Sequence, residues 1–142
     1  MRIYGHFKTS EAAYVDATLL LPELELKSGI EFLIDTGAAR TVIMEKDSEK
    51  LAIDYNKLSK STIGLIGIGG VIETYEAKNA SLHFIVKTGE EHAINIDRLR
   101  IARIPKRGPM IPSMPSIIGR DILNKYKLEY DRRNDSVFIT DE

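Results

Sequence analysis

The chain has 142 residues, of which 43% are hydrophobic and 29% charged, and its formal net charge is −1. That is the size of one domain able to bury its own core, and so balanced a charge gives no electrostatic reason to expect nucleic acid or an anionic membrane as a partner. With zero cysteines, disulfide stapling, thiolate catalysis and cysteine-ligated zinc or iron–sulfur sites are excluded.

The first residues, Met1 to Lys8, lack the apolar centre of a signal peptide, and no apolar run approaches the roughly 20 residues that span a bilayer. The expectation is one soluble, cytoplasmic domain over residues 1–142. Arg2 to Phe7 predict a first strand. Ala13, Val15, Ala17 and Leu19 then alternate with Tyr14, Asp16 and Thr18, as in a half-buried strand. Lys27-Ser28-Gly29 is a turn signal and predicts a hairpin between Glu25-Leu26 and Ile30-Glu31. Its second strand carries Ile30, Phe32 and Ile34 up to Asp35. Met44 to Leu51 is the first predicted helix, a short one.

Further on, Ile63, Leu65 and Ile66 lead into Gly67-Ile68-Gly69-Gly70, and Val71, Ile72 and Tyr75 lead out. Glycines at that density supply a hairpin tip. Ala80, Leu82, Phe84 and Val86 alternate up to a turn at Thr88-Gly89-Glu90, and a strand follows over Ala93 to Ile104. The basic residues Arg98, Arg100, Arg103, Lys106 and Arg107 read as a solvated strand and loop, because no aromatics interleave them. Gly108 to Pro115 is proline-rich and predicts an irregular loop. Ser116 to Ile118 predict a short buried strand, and Gly119 opens a helical stretch with Ile122, Leu123 and Tyr126 on one face. Leu128 and Tyr130 alternate with charged neighbours. Arg132-Arg133-Asn134-Asp135 is a turn, and Ser136 to Thr140 close the chain as a strand. His6, His83 and His92 are scattered without ligand spacing, so no metal and no cofactor is expected. The pattern is a mainly antiparallel β fold with one or two short helices.

The chemistry centres on Asp35-Thr36-Gly37, where an apolar strand delivers one carboxylate to a glycine-containing turn. Such a triplet is unspecific alone. Its specificity comes from the segments downstream, Gly67-Ile68-Gly69-Gly70 and Ile117-Ile118-Gly119-Arg120-Asp121. In that order, and over about residues 30–131, the chain resembles the retropepsin-like aspartic proteases.

The resemblance implies a closed, antiparallel β-barrel-like acid-protease fold and an aspartic endopeptidase that needs no cofactor. In it Asp35 is catalytic, and Thr36, Gly37, Ala38, Ile118 and Gly119 support the active-site loop. Gly67, Ile68, Gly69 and Gly70 form a flap over an extended peptide. The family's arginine pairs with an acidic residue that Ala39 and Arg40 replace here, so Arg120 is expected to form a structural ion pair with Asp121 or with a residue across the dimer. Water activation in this family takes two carboxylates sharing one proton. The chain carries one Asp-Thr-Gly, so the implied enzyme is a homodimer with Asp35 from each subunit. Two departures stand out. Ala39 and Arg40 occupy positions where viral enzymes commonly have acidic residues that grip the peptide backbone, and the interval from Asp35 to Gly119 is longer than in those enzymes. The altered grip leaves an alternative reading, a catalytically silent dimeric peptide-binding or assembly domain of the same fold. A basic-loop module for nucleic acid is the weaker third.

Overall fold

The computed structural model describes residues 1–61, 65–67, 70–103 and 114–142, with 65–67 and 70–72 as backbone alone. The chain opens with β1 (Arg2–Tyr4) and β2 (His6–Phe7), followed by the long β3 (Ala13–Leu21) and β4 (Leu26–Ile34). β5 (Val42–Ile43), helix α1 (Glu45–Lys50) and β6 (Ser59–Lys60) lead to β7 (Leu65–Gly67) and β8 (Gly70–Ile85), and β9 (Glu91–Arg103) returns. The last elements are β10 (Ser116–Ile118), α2 (Arg120–Leu123), β11 (Lys127–Asp131) and β12 (Ser136–Thr140).

Strand order in the main sheet is β2-β3-β4-β10-β5-β9-β8-β6, and a further pairing of β3 with β8 joins the two sides. The strands β3, β4, β10, β5, β9 and β8 therefore form a closed six-membered ring, which removes the free edges that would otherwise invite aggregation. Alternation drives this closure. Val15, Leu19, Leu21, Phe32, Leu82, Phe84, Leu99 and Ile101 all point inward and are buried, as the period of two requires. Most ladders are antiparallel, but β10 runs parallel to β4 and β5 runs parallel to β9. A second, three-stranded sheet in the order β1-β12-β11 packs Ile3, Val137 and Ile139 against the core. No helix among the described residues is long and apolar enough to cross a membrane.

The first hairpin turns earlier than the Lys27-Ser28-Gly29 signal predicts. β3 runs to Leu21, Pro22–Leu24 form one 3-10 turn, and Glu25 reverses the chain at φ 54°. Lys27, Ser28 and Gly29 then pair with Leu20, Leu19 and Thr18 inside the ladder. Proline has no N–H to give to a ladder and its fixed φ starts the turn, so Pro22 sets the boundary. The small residues downstream are tolerated in the strand because Leu19 and Leu21, opposite and adjacent, provide the buried surface. The segments predicted over Ile63, Ile104 to Arg107 and Gly108 to Ser113 lie outside the described residues. The other predicted strands appear within a few residues of their expected limits.

On the β2–β4 surface, Lys8 Nζ donates to Glu31 Oε1, and His6 Nε2 lies 3.0 Å from Glu31 Oε2. The Lys8 ammonium holds the Glu31 carboxyl below its ordinary value, with partial burial opposing. A carboxylate lowered in the folded state stabilises above its unfolded pKa, and that contribution is lost as pH falls through the folded value. Glu31→Gln is therefore expected to cost less than about 1 kcal/mol at neutral pH, the range of exposed ion pairs. The gap between variant and parent should narrow as pH falls below the ordinary carboxylate range, as urea unfolding at neutral and acid pH would show.

Candidate active site

Asp35 follows directly on β4, and its position is set by the strand beside it. Ser116, Ile117 and Ile118 pair with Phe32, Leu33 and Ile34 in parallel register, and the Asp35 N–H continues the ladder to the Ile118 carbonyl at 3.0 Å. β10 also pairs with β5 through Ile117 and Val42, so the two segments flanking the Asp35 loop are held on either side of one short strand. Ile118 and Ser116 are fully buried. The Ser116 hydroxyl accepts from the Met44 N–H and donates to Asp47, which ties α1 to the same strand.

Beyond β4 the chain makes a tight turn, closed by the Ala38 N–H on the Asp35 carbonyl at 3.2 Å. The Gly37 N–H donates to Asp35 Oδ1 at 2.9 Å. A β-carbon on Gly37 would lie 3.1 Å from that same oxygen, tighter than ordinary contact, so glycine gives the carboxylate room. Asp35 is half-buried, whereas Thr36, Gly37, Ala39 and Arg40 are exposed. Oδ2 of Asp35 has no hydrogen-bond partner among the described residues, and neither does the Thr36 hydroxyl.

The start of α2 holds this loop from behind. The first N–H groups of a helix have no partner within it, and here the Arg120 and Asp121 N–H groups donate to the Ala38 and Ala39 carbonyls at 2.8 and 3.2 Å. Thr41 is buried and serves both directions. Its hydroxyl accepts from the Gly119 N–H at 3.1 Å and donates to Asp121 Oδ1 at 2.7 Å, while its own N–H reaches both Asp121 oxygens at 3.0 Å. Gly119 sits so close to the loop that a β-carbon would lie 2.6 Å from the Arg40 carbonyl carbon and oxygen and 2.9 Å from the Ala38 oxygen. The loop 35–41 and the segment 118–121 are thus one hydrogen-bonded unit.

The expected ion pair between Arg120 and Asp121 is not formed. Arg120 Nη1 instead donates to the Thr36 carbonyl at 3.0 Å, and the Asp121 carboxylate is taken by Thr41 and by the Ile122 N–H. Neighbouring positions at a helix start face different ways, so each side chain meets a different part of the loop. Gly67 and Gly70 are paired at the end of the β7–β8 hairpin, and Ile68 and Gly69 lie outside the described residues. Sequence reading also missed a cross-strand group: His6, Asp16 and Glu31 bring ligand-type atoms within 4.8 Å of one another. Only the β2–β3–β4 register could have revealed it, since the residues are far apart in sequence. Lys8 pairs with Glu31 there, and His6 shares a hydrogen bond with the same carboxylate.

A closed six-stranded barrel with a short strand inserted beside an aspartate-bearing loop is the fold of the retropepsin-like aspartic proteases. The chain belongs to the retroviral aspartyl protease family, whose model matches residues 21–130. Among solved structures it is similar to a retropepsin-like aspartic protease from Rickettsia conorii, with 16% identity and a TM-score of 0.58 over 98% of this chain and 89% of that one. It is also similar to EIAV protease complexed with the inhibitor HBY-793, with 22% identity and a TM-score of 0.51 over 83% and 90%. At such identities the likeness is one of fold. No curated protein sequence matches the chain.

Removing the Asp121 carboxylate leaves the buried Thr41 N–H and hydroxyl without their acceptor. Asp121→Ala is expected to cost about 1.5–3 kcal/mol, the range for hydrogen bonds to a charged group. Asp121→Asn keeps one acceptor oxygen and should lose clearly less. Urea unfolding of the pair checks this ordering, and equal losses would remove the carboxylate from loop support.

Proposed function

We propose that the protein is a homodimeric aspartic endopeptidase in which Asp35 of each subunit supplies half of a catalytic dyad. The observation that carries this reading is the presentation of Asp35. One oxygen is held by the Gly37 N–H, the other has no partner among the described residues, and the loop behind is fixed to β10 and α2 while Thr36, Gly37, Ala39 and Arg40 stay exposed. A surface aspartate needs no such support.

Two copies related by a two-fold axis would bring the carboxylates together around one water. Like charges so close cannot both ionise, so the pair carries one proton between them. The ionised carboxylate takes a proton from water as it attacks the peptide carbonyl. The protonated one donates to the carbonyl oxygen, giving a gem-diol. The carboxyl that took the water proton then passes it to the amide nitrogen, the other carboxylate takes a proton from a gem-diol hydroxyl, and the C–N bond breaks to release the amine and the acid. Thr36, exposed in the single chain, would reach across the axis and fix the loops relative to each other. The hairpin of β7 and β8, in which Gly67 pairs with Gly70, would fold over an extended peptide and exclude water.

Asp35→Asn is expected to lower peptide-library cleavage at about pH 4 to 7 by several orders of magnitude while leaving the fold intact. Sedimentation should show a dimer under the assay conditions. Equal cleavage by parent and variant would take Asp35 out of the reaction, and a strict monomer that still cleaves would rule out the shared dyad.

A further inference from the structure

The active-site loop carries a charge that its own support does not use. Arg40 is exposed and, among the described residues, makes no hydrogen bond, ion pair or ring contact. Its neighbours on both sides are bonded: the Ala39 carbonyl accepts from the Asp121 N–H, and the Thr41 N–H donates to the Asp121 carboxylate. The Arg40 carbonyl lies against Gly119, and the next residue, Thr41, is buried and bonded to Asp121. Thr41 is buried, whereas Arg40 is exposed, as are Thr36, Gly37 and Ala39 of the same loop.

The surroundings leave that guanidinium without a counter-charge. The Asp121 carboxylate is occupied by Thr41 and the Ile122 N–H, and Asp35 lies more than an ion-pair distance away. Arg120, the second exposed guanidinium here, spends one N–H on the Thr36 carbonyl and meets no carboxylate among the described residues. An arginine on a hydrogen-bonded loop, with no partner for its guanidinium among the described residues, is suited to bind a carboxylate in two-pronged fashion.

Resting on the function proposed above, we infer that Arg40 is a specificity-determining residue that binds an acidic side chain of the substrate, and that the preferred substrate is a peptide with Asp or Glu flanking the scissile bond. Two-fold symmetry gives each half-site its own Arg40. The acidic preference therefore falls at equivalent distances on both sides of the cleaved bond. The uncharged Ala39 beside it adds no competing carboxylate.

The test uses the full-length protein and peptides that differ only in Glu, Gln or Lys, scanned through the positions on either side of a cleaved bond. Each peptide is made with free and amidated C-termini. Wild type should favour Glu over Gln by about fivefold in kcat/KM at some pair of symmetric positions, with the advantage shrinking at high salt. Arg40→Ala should bring that ratio to about one, and Arg40→Glu should turn it toward Lys. Binding of the same peptides to Asp35→Asn, followed by fluorescence anisotropy with and without Arg40→Glu, reads the preference without cleavage. A Glu preference in binding with no cleavage by wild type would overturn the proposed activity and leave the role of Arg40 standing. No Glu preference, or one that survives Arg40→Glu, would overturn the role of Arg40. So would a preference that follows the free C-terminus, or loss of the dimer on sedimentation of Arg40→Glu. Absence of any peptide binding would overturn both.

Discussion

The structure depends most on the union of the Asp35 loop with the start of α2. A carboxylate on a loop is mobile by default, because a loop has no ladder to satisfy its backbone groups. Here that lack is met by a complementary one, since the opening N–H groups of a helix are equally without partners. Arg120 and Asp121 donate to the Ala38 and Ala39 carbonyls, and Thr41 and Asp121 exchange bonds in the buried space between them. Gly119 permits the approach, since any larger residue would collide with the Arg40 and Ala38 backbone. The barrel then serves chiefly to hold β4 and β10 side by side so that the two ends can meet.

Much of this was legible before any coordinates. Alternation in Ala13 to Leu19 and in Ala80 to Val86 reports burial on one strand face, a local property that short sequences carry well. The Asp-Thr-Gly and Ile-Ile-Gly-Arg-Asp segments could be marked as partners through their resemblance to one family, and Gly119 indeed stands where the two backbones approach closely. What escaped was decided by distant neighbours. Lys27-Ser28-Gly29 has the composition of a turn, yet the ladder with β3 claims it and Pro22 sets the reversal instead. Arg120 and Asp121 suggest an ion pair by adjacency, but the loop offers each a better partner, a carbonyl for one and a buried hydroxyl and N–H for the other. The group of His6, Asp16 and Glu31 exists only through the register of three strands.

The same geometry bears on chemistry. The chain belongs to a family of aspartyl proteases, and its support network presents the Asp35 carboxylate with one oxygen unpartnered among the described residues. One such group cannot both take a proton from water and give one to the carbonyl, so in the proposed mechanism the missing half comes from a second copy. Dimerisation then acts on catalysis directly.

The proposed sharing of the dyad is tested most directly by mixing subunits. Wild-type and Asp35→Asn chains are combined at fixed total concentration, allowed to exchange, and assayed for peptide cleavage against the wild-type fraction. A dyad built from both chains predicts activity that falls as the square of that fraction, because mixed dimers are inactive. A linear fall would mean that each chain works alone and would contradict the shared active site.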